Sequence, residues 1–553
     1  MPPTDLPATT IVVSFRERWG YTRAVVERLL AHTPPEVPVW VLDTGLPPAL
    51  RQALQALAEG APRLRLLPLP AGLWPHQARG AVAARIETPY AVFIDNDVLV
   101  RAGWLAPLLD CAEATGAGIV GPLYLWGEDE ASELVHMAGG QLDIQGEAPA
   151  RVMGESHRHI NRQLASLQPP PRRAPCDFVE YHCLLMRRAV FQDADIFDPG
   201  LLNVHEHIHA SLRAQELGYA TWLEPATRVL YLARQPWLLD DLPLLAQRWS
   251  AEAADHSLRR FAQRWGVLDD ARSFGGVRAF VRRHASTACL LRPDLQAPGT
   301  AHAAMQPADL AQTPAGLLAQ ARQRGYPPEE LHELANAFLL ALRLFNAGYR
   351  PCGRPFVNHA VGAASVLVHY GFEMRLVLAG LLHAAYTHTV PAGAPDPAQA
   401  AQQIMAALGG PQSPLERSVR AYALRRRRHP LLLAQAPEAL LASDAEVLLL
   451  DAANEADMLL SLEVAASGRQ DLMPEPLLAL TLDTCRRAGV PGLGQTLRAQ
   501  RAALAALPEA HRATLRFHPQ PGSFRLLPQG TVDLAGSLEQ ALAQMQPPLP
   551  GSP

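Results

Sequence analysis

Tyr90 to Val100 reads YAVFIDNDVLV, an apolar run that closes on the acidic triplet Asp95-Asn96-Asp97. Short continuous apolar runs rich in aromatic and β-branched residues form strands buried on both faces, and ligands of open α/β sheets collect at the carboxyl ends of such strands. Two carboxylates there suit a divalent cation. Hard cations such as Mg²⁺ and Mn²⁺ take oxygen ligands and are commonly shared with phosphates, so the pair points to a diphosphate-bearing substrate. The plain alternative is a solvated turn after a strand.

Upstream, strand and helix patterns alternate. Thr10 to Phe15 (TIVVSF) reads as a strand, Tyr21 to Ala31 as an amphipathic helix, and Val37 to Leu42 as a second strand ending at Asp43. Ala49 to Glu59 supplies a second helix, Arg63 to Leu69 a third strand, and His76 to Arg85 a third helix before the acidic strand. Such βα alternation predicts an α/β fold with a mostly parallel sheet and helices on both faces.

These residues resemble the inverting, family 2 type glycosyltransferases of the GT-A (Rossmann-like) fold. The resemblance runs through SFRER (14–18), LDTG (42–45), ARG (78–80) and the DND triplet. It continues in DFVEYHCLLMRRAVF (177–191) and in FDPGLLNVHEHIHASLRAQELGY (197–219), roughly the first half of the chain in matching order. It implies that Ser14, Glu17 and Asp43 contact the nucleotide, Asp43 at the base, with Arg79 near the diphosphate. Asp95 would contact the ribose or the cation, and Asp97 would be a direct ligand of Mn²⁺ or Mg²⁺. The cation would stabilise the leaving nucleoside diphosphate as a Lewis acid, and a carboxylate would take the acceptor's proton. The donor implied is a nucleotide diphosphate sugar, and the acceptor a hydroxyl of a glycan, a lipid-linked molecule or a protein.

The chain departs from that pattern where the family has Glu-Asp-x-Asp. Counting back from Gly218-Tyr219, the matching positions are Glu206, His207, Ile208 and His209. Glu206 is therefore the expected base, with His207 as competitor because imidazole titrates near neutral pH. Tyr231 stands where many relatives carry a late metal-binding histidine. A catalytically silent module that binds nucleotide sugar or a partner is the alternative. A rival reading takes His205-Glu206-His207-Ile208-His209 as H-E-x-x-H, a zinc peptidase signature that requires both histidines on one helix. Pro199-Gly200 just upstream predicts that the motif precedes its helix, which argues against it.

Composition bounds the remaining classes. The chain has 553 residues, a net charge of -4, no lysine and six cysteines, Cys111, Cys176, Cys183, Cys289, Cys352 and Cys485. That length allows two or more domains, and the charge gives no footprint for nucleic acid. The cysteines form no CxxC pair, and a reducing cytoplasm is expected. No basic-then-apolar leader and no run of ~20 apolar residues is present, so a soluble protein is expected, peripheral at the inner face of the membrane if its acceptor is there. Arg425 to Arg428 is the candidate contact, against the simpler reading of a solvated helix end.

The expected organisation is a domain over 1–285, a linker over 286–314, an all-α domain over 315–505 and a Pro/Gly-rich, partly disordered tail over 506–553. Helices are expected over 329–345, 357–370, 375–383, 396–407, 415–428 and 442–466. One more is expected over 531–544. This half resembles an HD-type domain, most closely the hydrolase part of guanosine tetraphosphate synthetase/hydrolases, through GRPFVNHAVGAASVLVHYG, LAGLLHAAYTH and VLLLDAANEADML. The resemblance places His359, His383 and Asp451 on metal-ligand positions. Ala384 replaces the aspartate of the His-Asp doublet, so a degenerate site is expected, with metal-dependent phosphohydrolysis as an alternative function.

Overall fold

In the computed structural model, which describes residues 6–127, 131–233, 236–292, 295, 300–389, 396–467, 472–516 and 522–526, the apolar strands β1 (Thr9–Ser14) and β4 (Tyr90–Asp95) are buried along their whole length. The chain divides into two units, Met1–Ala285 and Ser286–Pro553. Between β1 and β4 come α1 (Thr22–His32), β2 (Val39–Asp43), α2 (Pro48–Gly60), β3 (Leu64–Pro68) and α3 (Pro75–Ala83). The alternation expected from the sequence is thus present element by element. After β4 the first unit continues with β5 (Val98–Leu99), α4 (Leu105–Thr115), β6 (Ile119–Trp126), β7 (Leu134–Met137), β8 (Gly140–Gln145) and β9 (Val152–His157). It closes with β10 (Ala174–Cys176), β11 (Cys183–Arg187), α5 (Arg188–Phe191), α6 (Glu206–Glu216), β12 (Thr221–Tyr231), α7 (Leu242–Arg248), α8 (Ala251–Trp265) and α9 (Ala271–Ala288).

The main sheet has ten strands with the path β10-β12-β6-β11-β4-β1-β2-β3. From β4 through β3 it is parallel, whereas β11 lies antiparallel between β4 and β6. Phe93 at its centre meets Phe197 edge-on at 5.2 Å and Phe191 at 6.3 Å, which binds the sheet to the segments that follow β11. Separately, β8 and β9 form a hairpin.

The second unit is helical: α10 (Pro314–Arg324), α11 (Pro328–Phe345), α12 (Phe356–His369), α13 (Met374–Leu382), α14 (Pro397–Ala407), α15 (Pro414–Ala423), α16 (Arg425–Ala434), α17 (Ala442–Leu460), α18 (Glu463–Ser467), α19 (Glu475–Arg487), α20 (Pro491–Ala506) and α21 (Glu509–Leu515). Among the described residues of this unit a two-strand ladder joins Gly348–Tyr349 to Phe524–Arg525. Thr313, Asp396 and Ser413 cap α10, α14 and α15 by accepting backbone N–H bonds, each with proline in the first turn. α12 and α17 are buried around most of their circumference and form the centre of this unit. The helix expected over 415–428 is broken at Leu424 into α15 and α16, and that over 442–466 is broken near Leu462, where φ is +59°. The helix expected over 531–544 lies outside the described residues.

Gly362 marks the closest approach of α12 and α17. A Cβ there would run into the Asp457 carboxylate and stand 3.0 Å from the Arg354 guanidinium. In an open helix position, glycine to alanine stabilises by about 1 kcal/mol. Gly276 in α9 has nothing within 4 Å of its missing Cβ. We therefore expect Gly276→Ala to raise the unfolding temperature of the full-length protein and Gly362→Ala to lower it, as read by calorimetry.

Candidate functional site

The parallel register of β1 and β4 sets Ser14 directly beside Asp95 at the strand ends. α3 returns Arg79 over them. Its Nε donates to Ser14 Oγ at 3.0 Å, its Nη2 to Asp95 Oδ1 at 2.6 Å, and its guanidinium lies 4.1 Å from the Tyr181 ring. Three residues predicted from sequence therefore meet in one buried cluster. Asp95 Oδ2 faces His182 Nδ1 at 3.2 Å and Arg16 at 3.8 Å. Burial alone would push the Asp95 carboxyl up, but the His182 hydrogen bond and the Arg79 and Arg16 charges outweigh it and hold it below its ordinary value.

Asp97 lies two residues on and differs sharply. It is fully buried, and neither carboxylate oxygen has a hydrogen-bond partner. The Nε of Arg18 approaches it at 3.5 Å. Burial, reinforced by Glu17 and Asp95 and opposed by Arg18, pushes its carboxyl up to about 7. Ligand atoms of Asp95, Asp97 and His182 fall within 4.8 Å of one another. Asn96 between the two aspartates is structural: its amide donates to the Arg18 carbonyl and, at 2.8 Å, to Thr22 Oγ1, tying the SFRER turn to β4. A buried carboxylate with unused oxygens, next to a second carboxylate and an imidazole, is a donor set that fits a divalent cation.

The other predicted donor contacts are engaged within the protein. Asp43 accepts from the backbone N–H of Gly45 at 3.0 Å and Leu46 at 2.9 Å, and from Arg51 through Nε at 2.6 Å and Nη2 at 3.1 Å. Glu17 accepts from the Tyr231 hydroxyl at 3.1 Å and lies 3.5 Å from Arg248. Tyr231 in turn stacks on His182, ring centroids 3.9 Å apart, so an imidazole from β11's approach lies against the position where a late histidine was expected from β12.

Glu206 opens α6 and is buried, with Arg16 3.5 Å from Oε1 while Oε2 has no hydrogen-bond partner. Burial pushes its carboxyl up, but Arg16, His207 and Arg248 bring it down to about 2. Burial lowers His207 to about 4 against the charges of Glu180, Glu206 and Glu155, and neither ring nitrogen has a hydrogen-bond partner. Arg16 thus bridges the two halves of the site, 3.8 Å from Asp95 and 3.5 Å from Glu206. The cavity bounded by Arg16, Trp74, Asn203, Glu206, Gln247 and Arg248 measures about 10 Å³, room for about one water.

The helix after the histidine cluster starts earlier than expected: α6 begins at Glu206 and contains His207 and His209. His205 precedes it in the left-handed region, φ +62°, with its ring nitrogen 3.1 Å from Glu155. His209 has one ring nitrogen 2.7 Å from the Asp195 carbonyl and the other 3.2 Å from the Trp265 indole. The two outer histidines therefore do not share a helix face, and neither belongs to a candidate metal group among the described residues. The peptidase geometry is not formed.

In the second unit, His359 and His383 meet edge-on at 5.1 Å, but Asp451 is engaged elsewhere, 2.9 Å from Arg425 and 3.0 Å from His429. The carboxylates gathered at His359 are instead Asp457 and Glu463. Asp457 lies 2.6 Å from His359 Nδ1 and accepts from Arg354 through both terminal nitrogens at 2.8 and 2.9 Å, while Glu463 accepts from Arg350 at 2.6 Å. Burial holds His359 neutral. Of the candidate membrane contact, Arg425 pairs with Asp451 and Arg428 lies 3.0 Å from Asp444, leaving Arg426 and Arg427 exposed. Among the described residues no helix is long and apolar enough to cross a membrane.

Residues 9–194, the stretch from β1 through α5, match the family described as Glycosyl transferase family 2. Glu206 and His207 lie beyond the matched residues. Among solved structures, the one titled "Crystal structure of GalNAc-T7 with UDP, GalNAc and Mn2+" is similar at 17% identity and a TM-score of 0.36, over 51% of this chain and 55% of that one. The chain thus spans about half the length of that relative. No curated protein sequence matches.

Sequence reasoning missed His182, Arg16 and Arg248. His182 and Arg16 sit inside quoted motifs; for His182 the available signal is a polar residue opening the apolar run Cys183 to Met186, whereas Arg16 in SFRER carries no comparable signal. Arg248 carries none. Asp97 yields a stability prediction. A carboxyl raised from 3.8 unfolded to about 7 folded destabilises the native state progressively as pH rises from about 4 to 7. Asp97→Asn should accordingly raise the unfolding temperature of the metal-free protein more at pH 8 than at pH 5, while abolishing its stabilisation by Mn²⁺.

Proposed function

We propose that the N-terminal unit transfers a sugar from a nucleotide diphosphate sugar to an acceptor hydroxyl with inversion, assisted by Mn²⁺ or Mg²⁺. The observation that carries this reading is Asp97, a buried carboxylate with unpartnered oxygens beside Asp95 at the carboxyl ends of the central strands. Asp97 and Asp95 would hold the cation, which when bound supplies Lewis-acid stabilisation of the leaving diphosphate. Ser14 and Arg79 fix the orientation of Asp95 through their shared contacts. Asp43 and Glu17 are the proposed nucleotide contacts, and each must exchange an arginine partner, Arg51 or Arg248, for the ligand.

Arg16 gives the base its timing. While it faces Glu206, that carboxylate is too weakly basic to remove a hydroxyl proton at neutral pH. A diphosphate beside Asp95 would attract Arg16 away, and loss of that charge raises the Glu206 carboxyl toward the range a general base needs. The cavity at Glu206 holds only about 10 Å³, so an acceptor hydroxyl reaches Glu206 only if the residues lining that cavity part. His207 is the second reading for the base, favoured by its neutral ring and two unpartnered nitrogens.

A transfer assay with a radiolabelled donor pool and isothermal titration of the donor separates these roles. Glu206→Gln should lower turnover by about two to four orders of magnitude with donor affinity retained. A severe His207→Ala beside a mild Glu206→Gln would reverse the assignment, and full donor binding without turnover in wild type would favour a silent binding module. In the second unit arginines already balance the carboxylates at His359. The Asp97→Ala full-length protein should therefore release no phosphate from guanosine nucleotides above background; robust release would assign hydrolysis to the helical unit.

A further inference from the structure

A second cluster of metal-binding side chains lies beside the proposed donor site and shares only His182 with it. Glu180, just before β11, is buried, and three imidazoles converge on its carboxylate. His136 Nε2 from β7 stands 2.7 Å from Oε2, His182 Nε2 stands 3.7 Å from the same oxygen, and His157 Nε2 at the end of β9 stands 3.8 Å from Oε1. The rings pack as a cage: His136 lies edge-on to His157 at 5.2 Å and to His182 at 5.5 Å. The outward nitrogens of two of them, His136 Nδ1 and His157 Nδ1, are buried without hydrogen-bond partners.

An ion pair between Glu180 and one protonated histidine would need one imidazole. Three ε nitrogens aimed at one carboxylate, from three separate elements, exceed that requirement. Ligand atoms of His136, Glu180 and His182 already lie within 4.8 Å of one another. Donors around a tetrahedral ion with ~2.1 Å bonds stand roughly 3.4 Å apart; His136, Glu180 and His182 need modest shifts to reach that spacing, and His157, which lies outside that group of three though 3.8 Å from Glu180 Oε1, must swing further inward to complete it. Imidazole with a single carboxylate suits Zn²⁺, Co²⁺ or Ni²⁺, whereas the oxygen-rich pair Asp95 and Asp97 suits Mg²⁺ or Mn²⁺.

We infer that His136, His157, His182 and Glu180 form a second, nitrogen-rich divalent site that takes a Zn²⁺-like ion and clamps β7, β9 and the approach to β11. His182 links the two sites. With Nε2 given to this ion, Nδ1 keeps its hydrogen toward Asp95, 3.2 Å away, and the donor-side cation is left to Asp95 and Asp97. An imidazole whose other nitrogen donates to a carboxylate is a common way of fixing a metal ligand's tautomer and orientation.

The test uses the full-length protein, stripped with chelator, loaded with Zn²⁺ alone and dialysed, with bound metal measured by mass spectrometry. Wild type and Asp97→Asn should each retain zinc, and Co²⁺ in its place should show the intense ligand-field bands of a tetrahedral nitrogen-rich site in both. His136→Gln should lose the ion and the bands. His157→Gln, at a position more exposed than His136, should weaken Zn²⁺ affinity at least about tenfold, and it decides the matter if His136→Gln does not fold by circular dichroism. Wild type that retains no zinc overturns the inference. So does zinc lost from Asp97→Asn but kept in His136→Gln, which places the ion with Asp95 and Asp97; neither result bears on sugar transfer itself.

Discussion

Four carboxylates, Glu17, Asp95, Asp97 and Glu206, are buried together around the strand ends of the first unit, and the site depends on how their charge is balanced. An isolated buried carboxylate is costly, so each must find a cation or lose its charge. Arg79 settles Asp95, Arg248 and Tyr231 settle Glu17, and Arg16 is divided between Asp95 and Glu206. Asp97 is the least compensated, and its raised proton affinity records that deficit. On the proposed function a divalent cation with a diphosphate would resolve it: the metal charge would meet Asp97, and the diphosphate would give Arg16 a partner other than Glu206.

The second unit shows the opposite solution to a similar problem. There the carboxylates of Asp457 and Glu463 gather beside His359, and Arg354 and Arg350 supply the positive charge in fixed, hydrogen-bonded geometry. Gly362 exists at the contact because nothing larger admits the Asp457 carboxylate between α12 and α17. With Ala384 at the doublet position and Asp451 turned to Arg425 and His429, this arrangement is that of an ion-paired helical core.

The parallel half of the sheet was legible because its strands are local apolar runs separated by periodic helices, and Ser14, Arg79 and Asp95 meet since adjacent parallel strands align their ends. What stayed hidden comes from strands out of chain order. β11 inserts between β4 and β6, bringing His182 to Asp95 with Glu180 behind it, and β7 adds His136 along the edge of β6. No spacing in the sequence encodes those encounters. The partners of His359 stayed hidden for a related reason: Asp451 and Asp457 lie on the same helix, α17, and only the packing of Arg354 against that helix tells which one faces His359.

We propose that the buried strand-end carboxylates bind a divalent cation jointly with a diphosphate. Electron paramagnetic resonance of Mn²⁺ titrated into the full-length protein with an equimolar nucleoside diphosphate tests it most directly. One Mn²⁺ per chain should leave the free-ion signal when the nucleotide is present, with weaker uptake in its absence. A free-ion signal no smaller than that of Mn²⁺ with the nucleotide alone would contradict it.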